Sequence, residues 1–148
     1  MRPLHALVFV ALLPFAAVAE ATEEGTPFAP QPAAEVVFAD QMYLKRPLVV
    51  FADSPNDPNY IRQMDLLSRF YAELEERDVI LVTDTDPAAA SEWRQKLRPR
   101  GFSLVIMDKD LRPVIRKPLP WDVREITHAI DKLPLRRQEM LEQNPAGR

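Results

Sequence analysis

The sequence has no cysteine, only three glycines and only two histidines among its 148 residues. Without cysteine the chain cannot form a disulfide scaffold, a thiolate metal site or a thiol redox centre, because each of these needs a sulfur atom. Positive charge is not in excess either: 19 Lys and Arg stand against 22 Asp and Glu, and the sequence shows no basic stripe of the kind that binds nucleic acid. The composition that remains, 47% hydrophobic and 28% charged, is that of one ordinary globular domain.

The amino terminus carries a long apolar stretch, which begins shortly after Arg2 and ends in Ala17-Val18-Ala19. Small residues at these spacings are typical of the cleavage site of a signal peptide. The stretch is shorter than the roughly 20 apolar residues that a membrane span requires. We therefore predict that residues 1–19 are a signal peptide cleaved after Ala19. The mature chain is expected to be periplasmic or secreted and to have no membrane span.

The segment that follows the predicted signal peptide is rich in proline and glutamate. Residues 20–34 contain few large apolar side chains, so ordering them would not be offset by burial. We predict a flexible leader and transition segment over residues 20–45. A folded domain is predicted over residues 46–142 and a disordered tail over residues 143–148.

Short apolar runs and helical patterns alternate along the predicted domain. Buried strands are predicted at residues 48–52, 79–82 and 104–107, because continuous apolar runs are typical of strands covered on both faces. Asp57 and Asp86, each followed by proline, predict helix starts. The remaining predicted elements are a strand at residues 113–116 and a closing helix at residues 123–133, which Pro134 ends or kinks. The order strand, helix, strand, helix, strand, strand, helix predicts an α/β fold, a thioredoxin-like mixed sheet (βαβαββα) flanked by helices.

Several stretches of the domain resemble a known family. They are Arg46-Pro47-Leu48-Val49-Val50-Phe51-Ala52, Glu76-Arg77-Asp78-Val79, Met107-Asp108-Lys109-Asp110 and, most specifically, Ile130-Asp131-Lys132-Leu133-Pro134-Leu135-Arg136-Arg137-Gln138-Glu139-Met140. Over about residues 46–140 the chain resembles the domain of unknown function 4174 family (DUF4174), a thioredoxin-like group related to peroxiredoxin-like modules. The resemblance implies the fold and no established activity. The chain departs from it at Asp53, where an uncharged residue is usual, and at Leu111, where the turn usually has glycine.

The loop after the first buried strand is where redox-active thioredoxin-like proteins carry their nucleophilic cysteine. Asp53 and Ser54 stand in that loop here, so thiol exchange and peroxidase chemistry are excluded. Ser54 could act as a nucleophile only with a base, and His128 is the one histidine beyond the predicted signal peptide. His128 falls on the polar side of its predicted helix. We therefore predict no Ser-His hydrolase site and no catalytic residue.

Four aspartates, Asp53, Asp57, Asp84 and Asp86, follow two strands that are predicted to be parallel neighbours. Their loops should leave the same carboxyl edge of the sheet, where open α/β folds place ligands. Together these carboxylates could hold Ca²⁺ or another divalent cation. Alternatively, Asp57 and Asp86 are only helix caps and the other two are solvated. A third hypothesis is an acid/base enzyme, in which crowding raises the pKa of one carboxyl group.

Two pairs of arginines are further candidates for binding. Arg98 and Arg100 precede the third buried strand, a placement similar to that of an arginine in peroxiredoxins. They could bind an anion, pair with the acidic loops or lie on the surface. Arg136 and Arg137 lie near a helix end, where they could interact with its carbonyl dipole or contact a partner.

The leading hypothesis is an exported, non-catalytic module that binds a protein or an envelope component. Its predicted ligand or partner residues are Asp53, Ser54, Asp57, Arg98, Arg100, Arg136 and Arg137. A divalent-cation-binding domain and, with less support, a carboxylate acid/base enzyme are the alternatives. No cofactor is expected, apart from Ca²⁺ under the first alternative.

Overall fold

The computed structural model describes residues 27–145. The predicted signal peptide and its cleavage site lie outside the described residues. The strands are β1 (Gln31–Pro32), β2 (Arg46–Phe51), β3 (Val79–Asp84), β4 (Ser103–Met107) and β5 (Pro113–Lys117). The α-helices are α1 (Pro58–Arg69), α2 (Tyr71–Glu75), α3 (Glu92–Leu97), α4 (Val123–Ile130) and α5 (Pro134–Gln143).

The five strands form one mixed sheet in the order β1-β3-β2-β4-β5. Strand β2 is parallel to β3, with Leu48 opposite Leu81, and antiparallel to β4, with Phe51 opposite Ser103. Strands β4 and β5 form an antiparallel hairpin. The predicted α/β class is confirmed, and the arrangement is consistent with the predicted thioredoxin-like fold.

Strand β2 lies at the centre of the sheet and is covered on both faces, so all six of its residues are buried. Because side chains alternate along a strand, Leu48 and Val50 face the core formed with α1, α2 and α4. Val49 and Phe51 face the opposite core, which contains Trp93 of α3. This burial on both sides explains why the strand is continuously apolar.

The described part of the predicted leader is ordered, contrary to the expectation of a flexible segment. Strand β1 pairs with the edge of β3, and Ala33 and Val36 pack in the core with Trp93. The indole nitrogen of Trp93 donates a hydrogen bond to the Val36 carbonyl at 2.7 Å. A two-residue strand leaves no periodic pattern in the sequence, and both residues of β1 are exposed, so no apolar run marks it either.

Three helix boundaries also differ from the prediction. The first predicted helix is broken at exposed Phe70, which separates α1 from α2. Helix α3 begins after Ser91, whose hydroxyl accepts a hydrogen bond from the Arg94 amide, rather than directly after Asp86. The closing helix ends at Ile130 rather than at residue 133, and Pro134 starts the separate helix α5, because proline at the first helical position has no amide hydrogen to leave unpaired.

Helix α5 has little apolar surface, and Arg136 is its buried residue. It is tied to the sheet through Arg46, which is 1% exposed. The Arg46 guanidinium donates to both carboxylate oxygens of Glu139 at 2.9 and 3.1 Å. It also donates to Asp108 Oδ1 at 3.1 Å and to the Arg77 carbonyl at 2.9 Å.

More charged groups extend this contact into a network. Lys109 Nζ lies 2.8 Å from carboxylate oxygens of both Asp78 and Glu139. Arg77 donates two hydrogen bonds to Asp131, at 2.8 and 2.9 Å, and Arg136 Nε donates to the same carboxylate at 3.3 Å. All four stretches that carry the family resemblance meet here. The Arg46 network consists of Arg46, Arg77, Asp78, Asp108, Lys109, Asp131, Arg136 and Glu139.

Glu139 is the carboxylate that links most of these cations. Burial alone would raise its pKa, but hydrogen bonds from Arg46 and Lys109, with the attraction of both charges, lower the pKa from 4.5 to about 2. A carboxyl group whose pKa is lower in the folded chain stabilises the fold when ionised. This contribution is complete above pH 4.5 and is lost as the pH falls toward 2.

We expect Glu139→Gln to destabilise the domain at neutral pH by about 3 kcal/mol, because it leaves the buried Arg46 charge without its main partner. Urea unfolding at neutral pH measures this change. Glu142→Gln removes the same charge from an exposed position on the same helix, and should change stability by less than about 0.5 kcal/mol. When the measurement is repeated between pH 4.5 and 2, the difference in unfolding free energy between wild type and Glu139→Gln should decrease as the pH falls. A difference in unfolding free energy that does not change with pH would contradict the stabilising role of ionised Glu139.

Leu111 provides a second test. It lies in the β4–β5 turn with φ +60°, a conformation that favours glycine, while its side chain is buried in the core that contains Trp93. Alanine removes the buried side chain and keeps the strain, whereas glycine also relieves the strain. Leu111→Gly should therefore be more stable than Leu111→Ala by about 1 kcal/mol.

The same two substitutions at Leu67, buried in helix α1, serve as the control. There the glycine variant should be the less stable by about 1 kcal/mol. Thermal unfolding of the four variants compares them directly. If the glycine variant is less stable than the alanine variant at both positions, the turn at Leu111 is not strained.

Candidate functional site

The carboxyl edge of the sheet is the candidate site. It consists of the loops that follow β2 and β3, together with the segment before β4 and the end of β5. The last two belong to it because β4 runs antiparallel to β2, so that Ser103 at the start of β4 lies opposite Phe51 at the end of β2. Open α/β sheets bind ligands at such an edge.

Asp84 is the carboxylate at this edge that accepts the most hydrogen bonds from the protein. It is 6% exposed and lies at the end of β3. Its Oδ1 accepts a hydrogen bond from Arg94 Nη2 at 2.9 Å and one from the Asp86 amide at 3.1 Å. Its Oδ2 accepts one from the Ser91 hydroxyl. Both carboxylate oxygens are therefore engaged within the protein.

Arg94 and Ser91 were not singled out by the sequence analysis. Arg94 of α3 also donates to the Ala52 carbonyl at 3.0 Å, and its guanidinium carbon lies 5.4 Å from the centre of the Phe51 ring. It thus joins the ends of β2 and β3. The one local signal was Ser91 directly before Glu92, which is a helix-start pattern, but only the fold brings α3 against Asp84.

The electrostatics of Asp84 follow from these contacts. Burial by itself would raise its pKa, but hydrogen bonds from Arg94, Ser91 and the Asp86 amide outweigh burial and lower the pKa below its ordinary value. Asp84 is therefore ionised and paired at neutral pH. A carboxylate in this state stabilises the edge and is not a neutral proton donor.

The other predicted edge residues have simpler roles. Asp57 caps α1 by accepting hydrogen bonds from the amides of Asn59 and Tyr60 at 2.8 and 3.4 Å. Asp86 accepts one from the Ala88 amide at 3.1 Å, which caps a short 3-10 turn. The predicted cap at Asp57 is confirmed, whereas Asp86 caps the short turn and not the predicted second helix.

Asp53 and Ser54 occupy the loop between β2 and α1. The Ser54 hydroxyl accepts a hydrogen bond from the Asn56 amide at 3.1 Å, and Asp53 is exposed. His128 is exposed on α4, as the sequence predicts. Ser54 thus supports the turn of its own loop.

The structure does not gather the four predicted carboxylates into a metal site. Within residues 27–145, no group of three or more acidic or histidine side chains is placed to hold a metal ion. Asp84 is paired with Arg94, and Asp57 and Asp86 cap different elements. The carboxylates follow neighbouring strands, as predicted, but Asp57, Asp84 and Asp86 each have a different partner and Asp53 is exposed.

Arg98 and Arg100 line a cavity of about 500 Å³ together with Arg116 of β5. Arg116 was not singled out by the sequence analysis, because it lies on a different strand. Its Nη2 donates to the Leu97 carbonyl at 2.7 Å. From the sequence, Arg98 and Arg100 could pair with the acidic loops; among the described residues neither forms an ion pair.

The second predicted arginine pair lies at the opposite end of the sheet. Arg136 is 8% exposed and belongs to the Arg46 network through Asp131 and Glu139. It is therefore a structural residue and not a surface contact. Arg137 is exposed on α5 and stays a candidate for a partner contact.

The fold is an α/β domain with a mixed five-stranded sheet, consistent with a thioredoxin-like arrangement, and the sequence has no cysteine. The chain belongs to the family described as a domain of unknown function (DUF4174), whose model matches residues 38–139. The resemblance seen in the sequence is thereby confirmed. No curated protein matches the chain significantly. Within residues 27–145, every helix is too short or too polar to cross a membrane.

We expect Asp84→Asn to lower the stability of the domain by about 2–3 kcal/mol, because it removes the partner of Arg94. Asp86→Asn removes the same charge nearby and should have little effect, since asparagine caps helices as well as aspartate does. Thermal unfolding of both variants, with Ca²⁺ and with a chelator, makes the comparison. The midpoint of the wild type should be the same in both conditions. A rise specific to Ca²⁺, lost in Asp84→Asn, would instead restore the metal-site hypothesis.

Proposed function

We propose that this chain is an exported, non-catalytic thioredoxin-like module that binds a protein or an envelope component. The observation that carries the proposal is the Asp84–Arg94 pair at the carboxyl edge, with nitrogen and oxygen 2.9 Å apart. The edge that bears the reactive thiol in redox-active thioredoxin-like proteins is here held by a structural ion pair. A binding edge with no reactive group is what such a module requires.

The composition and the pKa shifts argue against the competing enzymatic hypotheses. Thiol chemistry lacks a thiolate, since the chain has no cysteine. Acid/base catalysis near neutral pH needs a carboxyl group with a raised pKa. The pKa values of Asp84, Asp131 and Glu139 are all shifted downward, because hydrogen bonds to cations outweigh the effect of burial.

Features of both the sequence and the fold support binding outside the cytoplasm. The amino-terminal pattern ending in Ala17-Val18-Ala19 supports export. The carboxyl edge presents exposed Asp53, Arg98 and Arg100 beside the loops where α/β folds bind ligands. These residues lie on loops held by the sheet and by the Asp84–Arg94 pair, which gives a ligand a preformed surface.

We expect purified protein beginning at Glu20 to show no turnover of peroxide, insulin disulfides or a model ester above a heat-denatured sample. The physical reason is the lack of cysteine and the downward shift of the pKa of Asp84, which keeps this carboxyl group ionised at neutral pH. Turnover that is absent from the heated sample, and that is lost in Ser54→Ala or Asp84→Asn, would contradict the proposal.

Export and binding are tested in cells that produce the full chain. The intact mass of the secreted or periplasmic product should correspond to a chain that begins at Glu20. A photoreactive amino acid at Asp53 should crosslink the protein to a discrete partner, whereas the same group at Glu142, at the opposite end of the sheet, should not. A product that keeps residues 1–19 in the cytoplasm, or equal crosslinking at both positions, would count against the proposal.

A further inference from the structure

We propose that the cavity lined by Arg98, Arg100 and Arg116 binds an organic anion with two or more negative charges and an apolar part. This inference rests on the proposed function, since it names the ligand class of the binding edge. It concerns a site that involves none of the four aspartates considered above. The cavity, hereafter the arginine pocket, is lined by Leu97, Arg98, Arg100, Phe102, Ser103, Arg116 and Pro118.

The arginine pocket is formed by segments that only the fold brings together. Arg98 and Arg100 lie between α3 and β4, and Arg116 lies near the end of β5. Strand β5 pairs with β4, with Arg116 opposite Val105 and Lys117 opposite Leu104. The end of β5 thereby lies beside the start of β4, at the carboxyl edge.

The charge of the pocket is opposite to that of the chain. The protein has a formal charge of −3, yet three guanidinium groups and no carboxylate are among the residues that line this cavity. Local concentration of one sign of charge in a concave surface attracts ligands of the other sign. Three cations around one volume favour an anion that carries more than one charge.

Each of the three arginines has guanidinium donors available to bind an anion. Arg116 is oriented by its bond to the Leu97 carbonyl, which uses one donor of a guanidinium that carries several. Arg98 closes α3 with φ +47°, and this left-handed turn leads the chain into the residues that line the pocket. Within the part of the chain that is described, Arg98 and Arg100 form no ion pair that a ligand would have to displace. Guanidinium groups bind phosphate and carboxylate oxygens through paired hydrogen bonds.

The apolar part of the ligand follows from the rest of the lining. Leu97, Phe102 and Pro118 contribute apolar surface to the pocket. Pockets of about 300–1,000 Å³ with an apolar lining and a few convergent polar groups are typical of small-molecule sites. At about 500 Å³ the arginine pocket falls within this class. An aryl phosphate monoester, with a doubly charged head and an apolar ring, is the simplest ligand of this kind.

Calorimetry with the chain from Glu20 to Arg148 tests the proposal, with phenyl phosphate as the probe. Inorganic phosphate supplies the charge without the ring, and benzyl alcohol supplies the ring without the charge. We expect saturable binding of phenyl phosphate that weakens with added salt, weaker binding of inorganic phosphate and no binding of benzyl alcohol. Absence of saturable phenyl phosphate binding at millimolar concentration would overturn the inference.

Substitutions locate the binding. Arg98→Gln and Arg100→Gln should each weaken phenyl phosphate binding about tenfold, and the double variant should abolish it, because each removes charge-assisted hydrogen bonds. Arg116→Lys should also weaken binding, since lysine keeps the charge but not the paired donors.

Arg112→Gln is the matched control. Its side chain is 83% exposed in the turn at the other end of the β4–β5 hairpin. It removes the same charge and should leave the affinity unchanged. An equal loss in Arg112→Gln and Arg100→Gln would overturn the inference, because it would show only attraction to net charge.

Flotation with vesicles distinguishes a phosphate group on a lipid from a phosphate group on a soluble molecule. Phosphatidylcholine vesicles with a minority of phosphatidic acid present a phosphate monoester on a lipid. If they bind the protein and Arg100→Gln abolishes this, the anion belongs to an envelope lipid. If phenyl phosphate binds and the vesicles do not, the ligand is soluble. Both outcomes support the arginine pocket, whereas vesicle binding without phenyl phosphate binding overturns it.

The result is distinguishable from failure of the proposed function. If the protein does not bind phenyl phosphate but still crosslinks through position 53, the inference about the arginine pocket is wrong. The proposed function as a protein-binding module then stands. Turnover of a substrate would remove the proposed function, whatever the pocket binds.

Discussion

A buried guanidinium that keeps its charge is the constraint on which the rest of this structure depends. Arg46 is 1% exposed, and an unpaired charge at such a position costs several kcal/mol. It therefore needs Asp108 from the end of β4, Glu139 from α5 and the Arg77 carbonyl from the loop before β3. These partners are separated in sequence, so satisfying one side chain sets the positions of three elements. Helix α5, which has little apolar surface, is held in place by this requirement.

The carboxyl edge, at the other end of β2, uses charge in two ways. Arg94 is paired with Asp84 and connects the ends of β2 and β3, so the charge there is neutralised and serves stability. Arg98 and Arg100, only a few residues further along, line a cavity with Arg116 and no carboxylate. Because ion pairs hold both ends of the central part of the sheet, the second group of arginines lies on a preformed surface. A preformed surface loses less conformational entropy when a ligand binds.

The accuracy of the sequence-based predictions depended on the range of the interactions involved. The apolar run of β2 and the cap at Asp57 were predictable, since a continuous apolar run and an Asp-Pro pair report local conformation directly. Strand β1 was missed because its two residues are exposed and only pair with distant β3, which leaves no apolar pattern in the sequence. Helix α5 was not predicted as a separate helix, because its stability comes from ion pairs with β2 and with Lys109 after β4, which no periodicity records.

For the site, the sequence by itself determined that no thiol chemistry is possible and that acidic loops follow two neighbouring strands. Only the tertiary structure decided that Asp84 forms an ion pair with Arg94 and that Asp57 and Asp86 are caps. It also decided that Arg116 lines a cavity together with Arg98 and Arg100. The physical reason is that composition and local pattern state which groups a chain carries. Whether a charge is paired or available depends on which distant group lies within a few ångströms of it, and that distance is set by the packing of the whole sheet.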